Sequence, residues 1–286
     1  MPKTRPLPAA TFALSSRTSP FLSLGAVHRV AAAVPGGSVE IDLAGRFMPR
    51  DIERFDRGGD GAAPVAAVWL ARPPLDSSAD RSAWIRLANR CAGAWGARLL
   101  IVEMPKGDIG RHAATLLPAL GNHLPGAIAA PVRIAVGLRA THLEGGRPHL
   151  VQLRALRRFA EEWDLALALD LSGPLDQRWE AEAAMARLAD HIALVRVSSD
   201  ALERSPIGKA RVAMRALFAG IDLQPGVAIA VVARVPLWKL ASTSAVGASY
   251  GGAVSQFQER LRRQREQGGA EHRTERPRNE RSIPPM

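Results

Sequence analysis

Residues 163–200 read WDLALALDLSGPLDQRWEAEAAMARLADHIALVRVSSD, and this stretch decides the fold. Leu165 to Leu169 is a continuous apolar run that ends on Asp170. Ile192 to Val197 is a second such run, with Arg196 near its end. Between them lie about twenty residues rich in Ala, Glu and Arg with helical spacing. Two short apolar strands joined by a helix-length crossover form a parallel βαβ unit, which is right-handed in nearly all cases. The polar residues fall where each strand runs out, the place where α/β proteins put their chemistry.

Outward from this unit the same alternation repeats. Strands are expected at Thr11–Ser15, Ser38–Leu43, Pro64–Leu70, Arg98–Val102, Val132–Val136, Leu165–Leu169, Ile192–Val197 and Val227–Val232. Helices are expected at Leu22–Val34, Pro49–Phe55, Ala79–Trp95, Ile109–Leu120, Leu150–Trp163, the run before His191, Lys209–Ala219 and Ala253–Gln267. In Ser38–Leu43, Val39, Ile41 and Leu43 take one face while Glu40 and Asp42 take the other. Eight strands, each followed by a helix or helix-like run, predict an α/β protein with a single (β/α)8 TIM barrel. A doubly wound open sheet is the alternative, but the loop SRTSP after the first strand is no Gly-rich phosphate turn. The expected organisation is a loose lead-in over residues 1–9, a barrel over 10–267, and a disordered Arg/Glu/Pro-rich tail over 268–286.

The bulk numbers agree with a globular chain. Of 286 residues, 47% are hydrophobic, as in a protein with a real core. Cys91, the single cysteine, excludes an intrachain disulfide and reads as a small core residue inside a helix. No stretch is apolar enough for a signal peptide or a membrane span, so a soluble cytoplasmic protein is expected. The formal charge of +11 is carried almost wholly by Arg. It could attract nucleic acid, acidic lipid or a phosphorylated metabolite, and it is also what a biased genomic base composition produces. No HExxH, CxxC or Walker-type loop occurs, so no metal or other cofactor is expected.

In a barrel the strand ends face one site. They offer Ser15 and Arg17; Glu40, Asp42 and Arg46; Trp69 and Arg72; Glu103 and Lys106; Arg139, with His142 and Glu144 in the following loop; Asp170; Arg196, Ser198 and Asp200; and Arg234, Trp238 and Lys239. Guanidinium groups bind phosphate or carboxylate through paired hydrogen bonds, so Arg17, Arg46, Arg72, Lys106, Arg139, Arg196 and Arg234 are candidate contacts to a small anionic metabolite. Glu40, Glu103 and Asp170 are candidate acid/base groups. The bland alternative is that these charges neutralise one another in a buried ion network. His142 and His149 fall in a loop at the same end, where a histidine is more often solvated than catalytic. The run ERLRRQRE (Glu259–Glu266) extends the last helix, a solvated face or a protein contact.

Several segments in order resemble the xylose isomerase-like TIM barrels, the superfamily of sugar isomerases, sugar-phosphate isomerase/epimerase-type proteins and endonuclease IV. They are TFALSS, GGSVEIDLAGR, WGARLLIVEMPKG and LALALDLSG, spread over residues 10 to 265. The resemblance implies a divalent metal held by a Glu ending strand five, an Asp ending strand six, a His on strand seven and a Glu on strand eight. Here the corresponding positions hold Gly137 or Leu138, then Asp170, Arg196, and the run Val232, Ala233, Arg234. One ligand of four cannot hold a catalytic cation. The resemblance therefore implies a divergent, metal-independent sugar isomerase/epimerase-like barrel that binds a sugar phosphate or sugar acid, with Arg196 standing near the metal position. A non-catalytic barrel acting as a binding or scaffold protein, with a partner on the C-terminal helix and tail, is the other reading. Nucleic-acid binding is a third, without the nuclease's metal ligands.

Overall fold

The computed structural model describes residues 11–18, 21–43, 63–70, 78–104, 132–139, 148–172, 188–199 and 227–274. The described strands are β1 (Thr11–Ser15), β2 (Ser38–Asp42), β3 (Val65–Leu70), β4 (Leu99–Glu103), β5 (Arg133–Arg139), β6 (Ala166–Leu171), β7 (Ile192–Ser198) and β8 (Ala228–Val232). They close into one parallel barrel in sequence order, β1 pairing with both β2 and β8. The described α-helices are α1 (Leu24–Ala32), α2 (Ser78–Trp95), α3 (Pro148–Glu162) and α4 (Thr243–Thr274). All eight expected strands form. The expected helices Pro49–Phe55, Ile109–Leu120 and Lys209–Ala219, most of the run before His191, the lead-in and residues 275–286 lie outside the described residues.

The period of two sorts each strand. Leu14, Val39, Ile41, Val68, Leu70, Leu100, Val102, Leu169 and Val195 join the layer between strands and helices. The inner face carries Ala13, Ala67, Ala135, Ala166, Ala168 and Ala230, with Leu99, Ile101, Leu194 and Trp69. Barrel interiors are packed with side chains, and bulky branched ones are usual. So many alanines leave volume, and two large side chains from the upper strand ends, Trp69 and Arg196, are both fully buried. Gly137 on β5 admits the first of them: a Cβ there would lie 2.3 Å from Trp69 Cζ2. The abundance of Ala thus shapes the barrel interior as well as helix packing.

The last helix differs from its expected start at Ala253. It begins at Thr243, capped by Ser242, whose Oγ accepts from Ala245 N–H at 3.2 Å. Gly247, Gly251 and Gly252 depress helix propensity in the first turns, which hid them from a reading by pattern. α4 packs on α1 and the turn after it: Cβ atoms built on Gly247 and Gly251 would lie 3.7 and 3.8 Å from Val30 and Val34, ordinary contact distances. The helix runs to Thr274, so the tail boundary read after Gln267 falls inside it. His149, read as a loop residue, lies in the first turn of α3.

Candidate functional site at the strand ends

Neighbouring parallel strands in register bring Asp170 (β6) level with Arg196 (β7), and Asp42 (β2) level with Trp69 (β3). From these positions the side chains converge. Arg196 Nη1 donates to Asp170 Oδ2 at 3.0 Å and lies 3.2 Å from Asp42 Oδ2. Its Nη2 donates to Glu40 Oε1. The guanidinium lies over the Trp69 ring, 4.1 Å from the centroid. Above it comes Arg17, from the short 3-10 turn Ser16–Thr18 that follows β1. Arg17 Nη1 donates to Asp170 Oδ2 at 2.6 Å, and its Nε lies 3.4 Å from Asp42 Oδ2.

Hydroxyls from the same strand ends complete the cluster. Ser172 donates to Asp170 Oδ1 from both Oγ (2.6 Å) and backbone N–H (3.1 Å). Ser16 Oγ accepts the Asp42 N–H at 2.8 Å. Three carboxylates thus share two guanidiniums. Arg196 and Glu40 are wholly buried and the Asp42 and Asp170 side chains nearly so, whereas 34% of the Arg17 side chain reaches solvent.

Burial and charge pull the titrations apart. Burial raises the Glu40 pKa, and neighbouring Asp42 adds to the rise; Arg196 opposes it without cancelling it. For Asp170 burial again acts upward, but Arg196, Ser172 and Arg17 outweigh it and hold the carboxyl below its ordinary value. Arg196 is held in its charged form: burial alone would favour the neutral one, and Glu40, Asp170 and Asp42 overcome it. The Arg196–Glu40 pair uses one contact of the two a guanidinium edge can make, because Arg196 Nε and Glu40 Oε2 make no hydrogen bond among the described residues.

The structure brings Arg17, Glu40, Asp170 and Arg196 of the candidate residues into one network. Glu103 ends β4 opposite Gly137, half-buried, on the inward-facing row of Leu99 and Ile101. Arg234 is exposed just beyond β8; its Nη2 donates to the Ser172 carbonyl at 3.0 Å, and its N–H donates to Ser199 Oγ at 2.8 Å. The Arg139 backbone pairs with that of Asp170, while its side chain lies outside the described residues. Arg46, Arg72, Lys106, His142, Glu144 and Asp200 also lie outside them. Sequence reasoning gave Ser16 and Ser172 no part, although both directly follow strand ends. Nor did it give Trp69 its stacking role. A tryptophan at the end of an otherwise aliphatic strand was the available signal.

The metal implied by the resemblance does not fit these residues. The strand-five position is the inward-facing Gly137, since Leu138 packs in the outer layer, and the Trp69 ring fills the space above Gly137. Strand seven presents a guanidinium, not an imidazole. Strand eight presents Ala230 level with Arg196 and Val232 level with Ser198. Among the described residues no group of three His, Cys, Asp or Glu side chains is placed to hold a metal ion.

No family model matches the sequence, and no curated protein matches it. Solved structures do match in shape. The IOLI protein with a binding zinc atom superposes with a TM-score of 0.63 at 11% identity, over 86% of this chain and 97% of that one. An L-ribulose 3-epimerase gives 0.60 at 15% identity, over 96% and 100%. A xylose isomerase domain containing protein from Salmonella typhimurium LT2 gives 0.55 at 12%, over 88% and 99%. The chain is a closed (β/α)8 barrel, and its fold is that of the xylose isomerase-like TIM barrels. Its structural neighbours include sugar isomerases and epimerases. At these identities the likeness is one of fold.

Proposed function

We propose that this barrel works without a metal and binds a small anion, a sugar phosphate or sugar acid, at the carboxyl ends of its strands. The observation that supports this most is the division of labour between its two central arginines. Arg196 is buried and ion-paired with Glu40, Asp42 and Asp170, a fixed cation near the place where the resemblance puts a metal. Arg17 bridges Asp42 and Asp170 from the solvent side and keeps about a third of its side chain exposed. With exposed Arg234 it offers guanidinium donors to an incoming anion. Glu40 and Asp170 are too deeply buried to meet a ligand, so Glu103, half-buried on the inward-facing row, is the carboxylate suited to move a substrate proton. Arg17 and Arg234 would then stabilise the oxygen on which negative charge develops.

A second reading, a non-catalytic binding barrel, draws support from a different fact: Glu40, Asp42 and Asp170 all engage guanidiniums. The test is thermal shift and calorimetry on the full chain with sugar phosphates, sugar acids, neutral sugars and divalent metals. Stabilisation by an anionic sugar, weakened in Arg17→Ala and Arg234→Ala and unchanged by chelator, is expected. Stabilisation by micromolar divalent metal would overturn the metal-free reading. Isomerisation of the bound sugar lost in Glu103→Gln separates the enzyme from the binding barrel.

A further inference from the structure

Three large apolar side chains stand in solvent on connections at this end of the barrel. Phe21, after β1, is 69% exposed; Leu237 and Trp238, after β8, are each 82% exposed. β1 and β8 are paired neighbours, so both connections rise from one sector of the rim. They are stitched together, because Thr18 Oγ1 accepts the Ala233 N–H at 2.9 Å. The β8 connection is itself braced. Lys239 N–H donates to the Pro236 carbonyl at 2.8 Å, Ser242 N–H to the Lys239 carbonyl at 2.9 Å, and Ser249 Oγ to the Arg234 carbonyl at 3.2 Å. Leu237 and Trp238 are thus displayed on hydrogen-bonded backbone.

The same two connections carry the cations. Arg17 lies four residues before Phe21, Arg234 four before Trp238, and Lys239 directly follows Trp238. By contrast, of the four described strand-end carboxylates, acceptors that a bare polyol would need, Glu40, Asp42 and Asp170 are buried and engaged with guanidiniums, which leaves the half-buried Glu103. What these two connections present to solvent is cationic donors together with indole, phenyl and isobutyl groups. Its complement is an anion joined to a flat or extended apolar group.

We propose that the β1 and β8 connections form a subsite for the apolar part of the ligand, so that the preferred ligand is an aryl- or acyl-bearing anion. This rests on the anion-binding reading above and narrows it. The charged group meets Arg17 and Arg234, and the apolar group covers Trp238, with Phe21 and Leu237 beside it.

The test compares 1-naphthyl phosphate, glucose 6-phosphate and inorganic phosphate by calorimetry on the full chain, in wild type, Trp238→Ala, Trp238→Phe and Leu237→Ala. Because Trp238 and Leu237 are exposed, these variants should fold, and circular dichroism checks that they do. The expected result is that naphthyl phosphate binds at least about tenfold tighter than glucose 6-phosphate. Trp238→Ala should remove that preference and Trp238→Phe should retain most of it. Equal binding of the three anions, or a preference that survives Trp238→Ala, overturns the apolar subsite and leaves the anion site standing. Binding of none of them overturns both.

Discussion

Arg196 and Trp69 lie face to face at the top of the barrel, guanidinium carbon 4.1 Å from the ring centroid, with neither side chain exposed. The stack is where packing and electrostatics of this protein meet. An indole gives the flat guanidinium an apolar and a cation-attracting surface, while its edges remain directed at carboxylates. Because both are fully buried, removing either partner has consequences that a surface ion pair would not show.

Arg196→Met removes the shared cation and leaves Glu40, Asp42 and Asp170 buried together, with only Arg17 to oppose them. Breaking a buried charge network on one side costs about 3–5 kcal/mol. Urea denaturation should show that loss. Adding Glu40→Gln and Asp170→Asn to Arg196→Met should recover part of it, because the uncompensated charges then go as well.

Gly137→Ala places a methyl group within 2.3 Å of Trp69 Cζ2. Overpacking of this kind costs about 1–3 kcal/mol. The variant should lose stability and change the near-ultraviolet circular dichroism of the tryptophans. Trp69→Leu in the same chain should relieve the clash, so the two substitutions should be non-additive.

The carboxylates predict opposite pH dependences. Asp170 is held below its ordinary value of 3.8, so its ionisation stabilises the fold. That contribution is present above pH 3.8 and is lost as pH falls through the folded pKa. Asp170→Asn should destabilise by about 3–5 kcal/mol at pH 7, and the difference from wild type should shrink below pH 3.8. Glu40 is raised above 4.5, so its favourable contribution is present below pH 4.5 and lost as pH rises through its folded pKa. Glu40→Gln should therefore match or exceed wild-type stability at pH 7, with the advantage vanishing in acid. Unfolding curves from pH 3 to 8 test both signs.

Cys91 lies fully buried in α2, and burial pushes its thiol up to about 12. The thiolate is the reactive form. Iodoacetamide should leave the native chain unmodified at pH 8 and alkylate it fully in denaturant, as mass spectrometry would record.

The barrel was legible because its cause is local and repeated. Apolar runs such as LALAL and IALVRV, each bounded by turn residues, predict buried strands from period and length alone. Eight of them in alternation leave few ways to close a sheet. The positions of Glu40, Asp170, Arg17 and Arg196 at strand ends were legible for the same reason. The N-terminal turns of α4 were not, because Gly247, Gly251 and Gly252 have low helix propensity and read as loop, whereas Val246, Tyr250 and Ala253 are buried once the helix is placed.

What the residues at the strand ends do was decided only in three dimensions. From the sequence alone, Arg196 could equally be an anion-binding cation or a member of an ion network, since both need an Arg at the end of a strand. Register sets Arg196 level with Asp170, and closure of the barrel brings Glu40 and Asp42 to it from β2, with Glu40 156 residues away in the chain. The absence of a side chain at Gly137 leaves room for the Trp69 ring. Electrostatic roles depend on distance and burial, and neither is a property of position along the chain. Strand order, register and the small alanine interior turn one arginine into a buried cation and leave Arg17 and Arg234 to face the solvent.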